Sequence, residues 1–413
     1  MLTYLLDWAA LLVRWLHVIA GIAWIGASFY FVWLDNHLQP AMQPQSGAEP
    51  ADPLVAGELW AVHGGGFYRS RKYRLAPAVL PPILHWFYWE AYTTWLSGFG
   101  LLCLLYFLRA EGYLIDPAVA PLTKPMAITI AVAALVVSWL TYDGLCRSPL
   151  GSRPRALAGV LAASITALAW GLCQVFSGRG AFMLFGCALG TIMVANVFFV
   201  IIPGQRELVH AKQQGRDPDP APGLRGKQRS VHNTYFTLPV LFVMISNHYA
   251  MTYGARYNWL VLVAMSFAGA CIRAWFVARH KPALQTRWAA AMPAVLGVAA
   301  LATVVLALAP PRAAGPALDA AGAALAAPAA GRDRVHLIVE QRCVPCHAVN
   351  PTQPGFSAAP NGVVLESMDQ LLAHLPQVQQ QLAMRAMPLG NLTGMTEAER
   401  QTVLMWIGHG GHN

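Results

Sequence analysis

The run Cys343-Val344-Pro345-Cys346-His347 decides what the C-terminal part of this chain is built around. C-x-x-C-H is the attachment pattern of a c-type haem. The two thiols add to the haem vinyl groups, and His347 then lies under the iron as proximal ligand. A zinc half-site would need a second ligand pair at metal-binding spacing, and no cysteine follows Cys346. A redox dithiol would need a βαβ setting, which the flanking sequence lacks. Residues 333–346 are expected to form a helix with Val335, Ile338 and Val339 on one face. Thr396-Glu397-Ala398-Glu399 reads as a capping box that opens a last helix carrying Val403, Leu404, Trp406 and Ile407. Two helices around a haem, with the sixth ligand on a loop between them, is the class I cytochrome c plan, expected over 333–413. The candidates for that ligand are Met384, Met387, Met395 and Met405. Met387 is the choice, because Pro388 breaks a helix and holds an extended loop. Met384 belongs to the preceding helix, Met395 is a hydrophobic staple before the Thr396 cap, and Met405 lies within the last helix. His336 and His374 are residual alternatives that read better as surface histidines.

Upstream, residues 310–332 are rich in Ala, Pro and Gly with almost no large side chain. That is a linker composition, one that would let the terminal domain move. Residues 1–309 are of another class. The whole chain is 56% apolar and only 11% charged, where a soluble protein carries about 25% charged residues. Several apolar runs are long enough to span a bilayer. Eight spans are expected, at roughly 8–34, 82–108, 125–145, 155–177, 181–203, 234–252, 257–279 and 287–309. The fold class is therefore all-α: an eight-span bundle followed by a class I cytochrome c domain. The first span is too long for a cleaved signal peptide and lacks a basic n-region. Cys103, Cys146, Cys173, Cys187 and Cys271 are scattered in or beside apolar runs, as small core residues are.

The net charge of +9 is a topology signal rather than a nucleic-acid footprint. Alternate connections hold Arg69, Arg71, Lys72 and Arg74; then Arg147, Arg153 and Arg155; then Arg206, Lys212, Arg216, Arg225, Lys227 and Arg229; then Arg279, Lys281 and Arg287. The other connections hold only Arg109, Lys124, Arg179 and Arg256. The positive-inside rule puts the first set in the cytoplasm. Both termini and the cytochrome then lie on the periplasmic side of a bacterial inner membrane, where c-type haem is attached.

One span would anchor a cytochrome, whereas eight imply catalysis or transport. Ionisable residues within spans are functional candidates by default. Arg14 and His17 lie in the first span, His85 and Glu90 open the second, and His232 and His248 bracket the sixth. The connection after the first span carries His63-Gly64-Gly65-Gly66, whose glycines suit close backbone approach to an anion beside a basic run. His63, His85 and Glu90 are the catalytic candidates. His17, His85 and His248 are the available ligands for a buried b-type haem. The plainer readings are packing for His17 and an aromatic interface belt around Trp86 and Trp89.

Trp15–Gly26, Trp60–Tyr68, Leu84–Tyr92, Asn233–Tyr249 and Met387–Asn391 resemble the membrane-bound urate hydroxylases of the PuuD type. In that family an eight-span urate oxidase domain is fused to a C-terminal cytochrome c. The span-six stretch and the fusion carry the resemblance. The pattern of the first span also resembles haem-binding protoporphyrinogen oxidases and copper-resistance membrane proteins. The resemblance implies that residues 1–309 oxidise urate to 5-hydroxyisourate in purine catabolism. Electrons would pass through one covalent c haem to a soluble or membrane cytochrome c or a cytochrome oxidase, with urate and membrane lipid as partners and no nucleic acid. It transfers no catalytic residue. With substrate made in the cytoplasm and the acceptor outside, electrons must cross roughly 30 Å of hydrocarbon, which argues for an intermediate carrier. The other classes are a transporter, or a quinol-oxidising membrane protein, with an electron-carrying cytochrome c tail.

Overall fold

A computed structural model of the protein describes residues 1–40, 52–279, 287–309, 331–354, 356 and 358–411. Residues 310–330 of the expected linker, and Lys281, lie outside these. The chain is mostly helical. Among the described residues six helices are long and apolar enough to cross a membrane: Tyr4–His37, Lys124–Arg147, Pro154–Val175, Gly178–Gln213, Asn258–Ala278 and Ala290–Ala307. They belong to α1 (Leu2–His37), α4 (Lys124–Arg147), α5 (Pro154–Val175), α6 (Gly178–Asn196) with α7 (Ile202–Gln213), α10 (Asn258–Ala278) and α11 (Arg287–Ala307).

Two expected spans take another form. The second is helical only from Trp89: α2 (Trp89–Leu101) runs into a π-helical turn over Leu102–Phe107. Pro77, Pro81 and Pro82 supply no N–H, and each biases the residue before it away from the helical region. The short α3 (Ala110–Tyr113) follows. The sixth is the apolar half of a longer helix, α8 (Pro220–Ser246). The Asp219 carboxylate accepts from the Ala221 amide at 2.9 Å and caps it, and Pro220 stands at its first position. Arg225, Lys227 and Arg229, read from sequence as loop charge, are therefore helical residues. His248 lies beyond the end of α8, before α9 (Ala250–Tyr253).

The fold also departs from all-α. The basic connection after α1 is a hairpin of β1 (Val55–His63) and β2 (Gly66–Tyr73), antiparallel, with His63 opposite Gly66. Gly64 and Gly65 have φ of 59° and 81°, the two positive angles that a type I′ turn requires.

The centre of the bundle is α6. In its apolar window 67% of residues are buried, against 6% for α1, which lies at the edge. Small residues let neighbours approach, as between membrane helices generally: a Cβ on Gly186 would stand 2.8 Å from Val243 Cγ1 on α8. Phe176, Phe182, Phe185 and Leu189 fill the core around it. The C-terminal residues build a core of their own from α12 (Arg332–Arg342), α13 (Met368–Ala373), α14 (Leu375–Ala383) and α15 (Glu397–Gly408). Val335, Ile338 and Val339 of α12 meet Val403, Trp406 and Ile407 of α15 there.

Candidate functional site

The C-x-x-C-H run follows the end of α12. Its backbone turns tightly, with the Cys346 and His347 amides donating to the Cys343 carbonyl at 3.1 and 2.9 Å. Neither cysteine is in a disulfide. Burial pushes the Cys343 thiol up to about 12 and raises that of Cys346. A redox dithiol needs the opposite shift, toward the thiolate. His347 Nδ1 lies 2.9 Å from the Val363 carbonyl. A carbonyl only accepts, so Nδ1 carries the proton and Nε2 keeps its lone pair, the arrangement of a metal-ligating imidazole.

Met387 sits on the loop between α14 and a turn over Leu389–Asn391. Arg400, buried on α15, donates from Nη1 to the carbonyls of Leu382 and Met387 at 3.1 and 2.6 Å and ties that loop to the last helix. The other methionines have other places. Met395 is buried in the C-terminal core, Met405 is exposed, and Met384 closes α14. Two thiols, one oriented imidazole and one thioether loop fit a covalently held haem with His and Met ligands.

This unit sits on the bundle by its methionine loop. Gly390, with φ of 54°, lies against the backbone carbonyls of Glu111 and Gly112, and Leu392 lies against Gly112. Gly254, just after α9, abuts the Met384 carbonyl. Both contacted segments are connections assigned from sequence to the outer side. The linker composition suggested a movable domain; in the structure its methionine loop touches the segments at Gly112 and Gly254.

The candidates within the bundle are not gathered together. His17 packs against α2, with Nδ1 2.9 Å from the Thr94 carbonyl. His85 is exposed before α2, its ring 4.6 Å from that of Phe87. His248 is exposed beside Asn247, to which the Tyr106 hydroxyl donates at 3.1 Å. Since Tyr106 ends the α2 segment that His85 precedes, those two histidines stand at opposite ends of it, with His17 between. Glu90 lies half-buried in the first turn of α2. His63 is exposed at the hairpin tip.

The Gly64-Gly65-Gly66 stretch read as an anion cradle lies at the tip of the hairpin. Space around the Cβ positions of Gly64 and Gly65 is open, so their glycines serve the turn. Three of the four basic neighbours are paired: Arg69 and Arg71 with buried Glu58 at 2.7 and 3.4 Å, and Lys72 with Asp35 at 2.5 Å.

Residues not singled out from sequence stand out instead. Arg229 and Asn196 are 3% and 0% exposed, yet Arg229 Nη1 and Asn196 Oδ1 have no hydrogen-bond partner among the described residues. Arg273 on α10 is also buried, its guanidinium 4.0 Å from the centre of the Phe29 ring. A polar residue inside an apolar helix was the available signal.

Among known proteins, no curated protein and no solved structure matches the chain. A family model described as urate oxidase N-terminal matches residues 3–306.

Proposed function

The chain belongs to the urate oxidase N-terminal family, and from that premise we propose that it is a membrane-bound urate hydroxylase delivering electrons through its C-terminal unit. One observation carries the reading: the family match covers the bundle, and the same chain bears a C-x-x-C-H unit whose methionine loop rests on that bundle. Urate and water give 5-hydroxyisourate, two electrons and two protons. Cys343 and Cys346 would hold a c-type haem with His347 and Met387 as iron ligands, and that group would supply one-electron chemistry outside the bundle. A soluble or membrane cytochrome c, or a cytochrome oxidase, then takes the electrons onward. His347 is oriented for this by Val363, and the Met387 loop by Arg400. In the same reading the bundle crosses the membrane eight times, α2 and α8 completing the six long helices, with both termini periplasmic.

The test is a visible spectrum of the purified full chain before and after anaerobic addition of urate. Reduction of a c-type haem, with 5-hydroxyisourate appearing in proportion, is the expected result. Urate uptake by membrane vesicles without that product would instead favour a transporter. Haem reduction by quinol but not by urate would favour a quinol oxidase.

A further inference from the structure

The connection between α1 and α2 is a hairpin followed by an apolar strap, and α10 marks its depth. That helix is 21 residues long, which at 1.5 Å per residue is about the 30 Å of a bilayer's hydrocarbon. With α10 spanning the bilayer, its last turn lies at one interface. Asn36 Nδ2 of α1 lies 3.5 Å from the carbonyl of Val277 in that turn. The hairpin springs from the same level. Gln39 pairs with Glu58, Gly57 lies against Leu38, and Lys72 pairs with Asp35 at 2.5 Å.

Along the hairpin the polarity runs against what water selects. The register sets Glu58 opposite Arg71, Trp60 opposite Arg69 and Val62 opposite Phe67. These pairs share one face, because side chains two apart on a strand do. At the base Glu58 is buried, with Arg69 and Arg71 as its partners. Toward the tip Trp60, Val62 and Phe67 are 53%, 68% and 79% exposed. The Arg69 guanidinium stands 5.4 Å from the Trp60 ring centre, where the two zones meet. An arm reaching into water would be apolar at its base and charged at its tip. This one is the reverse. The strap repeats the pattern. Val79 and Ile83 are exposed, and Phe87 meets Phe31 of α1 edge to face, ring centres 5.0 Å apart. Phe31 precedes Asn36 by five residues, so it lies roughly 7 Å deeper along α1. The strap therefore descends below the level of the hairpin base before α2 begins at Trp89.

Exposed apolar side chains gathered in this way mark an interaction surface. We propose that the hairpin tip and the strap lie in the headgroup layer of the bilayer. Trp60, Val62, Phe67, Val79 and Ile83 contact lipid there, and the arginines at the hairpin base face phosphate. Aromatic rings beside basic residues are the composition of that layer. Residues 55–74 carry four basic side chains and one acidic one, the sign that anionic headgroups attract. The assignment goes beyond the oxidation proposed above and rests only on the bundle crossing the membrane.

The experiment places photoreactive p-benzoylphenylalanine at Phe67 in the full chain, reconstituted in vesicles of phosphatidylcholine and phosphatidylglycerol. The same probe at Val136, exposed on α4, reads the spanning bundle. At Leu337, exposed on α12, it reads an apolar residue outside the bundle. After irradiation, mass spectrometry measures the lipid adducts. The yield at Phe67 is expected to match that at Val136. It should exceed that at Leu337 about ten-fold or more, the preference that burying one aromatic ring gives. A probe at Ile83 should behave as the one at Phe67. If the Phe67 replacement fails to fold, Val62 on the same face takes the probe. A tip yield at the Leu337 level, or adducts with a second copy of the chain in place of lipid, would overturn the proposal. Absence of lipid adducts at Val136 would overturn the spanning bundle with it.

Discussion

Gly254 lies directly against the backbone carbonyl of Met384, leaving no room for a Cβ between the bundle and the methionine loop. Gly112 meets Leu392 in the same interface, where a Cβ would stand 3.2 Å from Leu392 Cδ1. Gly254→Val must push the C-terminal unit away, and overpacking of this kind costs about 1–3 kcal/mol. The seated fraction then falls about ten-fold or more. Stopped-flow reduction of the c haem by urate should slow by that factor, while reduction by dithionite, which reaches the haem from solution, keeps its rate. Equal slowing of both would mean that the substitution damages the haem unit itself.

Met387 and Arg400 separate ligation from positioning. Met387→Ala should leave the haem covalently attached through Cys343 and Cys346 but remove the weak red-region sulfur-to-iron band of the oxidised protein. Arg400→Gln leaves the thioether in place and loosens the carbonyl that Arg400 holds at 2.6 Å. Its band should persist and be lost at lower temperature than in the wild type. A full band in Met387→Ala would assign the ligand to another residue.

The Thr396 cap is testable against pH. Its hydroxyl accepts from the Glu399 amide at 3.2 Å, and Glu399 returns to the Thr396 amide at 2.7 Å. Partial burial works to raise the Glu399 carboxyl, but the Thr396 amide and hydroxyl and the Arg342 guanidinium outweigh it and hold the group below its ordinary 4.5. A depressed carboxyl stabilises the fold fully above its unfolded value and loses that contribution as pH falls through the lowered one. Thr396→Ala should cost about 1 kcal/mol, read as faster amide exchange over Glu397–Gly408. Glu399→Gln should flatten the loss of protection of that helix below about pH 4.5.

How far the sequence could be read depended on the range of each interaction. The C-x-x-C-H run and the Thr396–Glu399 box are contiguous, so they were legible. So were the apolar faces of α12 and α15, which repeat with the helical period. The hairpin was missed because its glycines suit an anion cradle and a type I′ turn alike, and the partner of Arg69 and Arg71 is Glu58, on the opposite strand. Arg229 was counted as loop charge. Its burial follows from Tyr142 and Asp143, on another helix and far away in the chain. No local pattern encodes such a meeting. Even so, Asn196 within the apolar run of α6 was a visible anomaly.

The contacts of the C-terminal unit group the ends of the bundle into two sides. The C-terminal unit touches the connection at Gly112 and the one at Gly254, so all three belong to one side, and the hairpin follows α1 at the other. A phosphatase fused after Asn413 should be active in the periplasm, and one fused after Arg74 inactive. The reverse result would invert the assignment of sides.

His17 is the remaining link between the two ends of α2. Its ring lies so close to Gly98 that a Cβ there would stand 2.8 Å from Cε1. With Nδ1 donating to the Thr94 carbonyl, Nε2 is left as a lone-pair donor within the bundle, and a histidine oriented this way resembles a metal ligand. His85 and His248 are too far along the segment to share a centre with it. If His17 serves the electron path, His17→Ala should abolish urate-driven reduction of the c haem. Binding of urate and the melting midpoint should barely change, since the ring contributes one hydrogen bond worth about 1 kcal/mol. Gly98→Ala, which displaces the ring without removing it, should reduce the same rate less severely. A chain truncated after Pro310 supplies the independent readout, because any urate-reducible absorbance it retains must come from the bundle and should vanish with His17→Ala. Normal c-haem reduction in His17→Ala would return the residue to helix packing between α1 and α2.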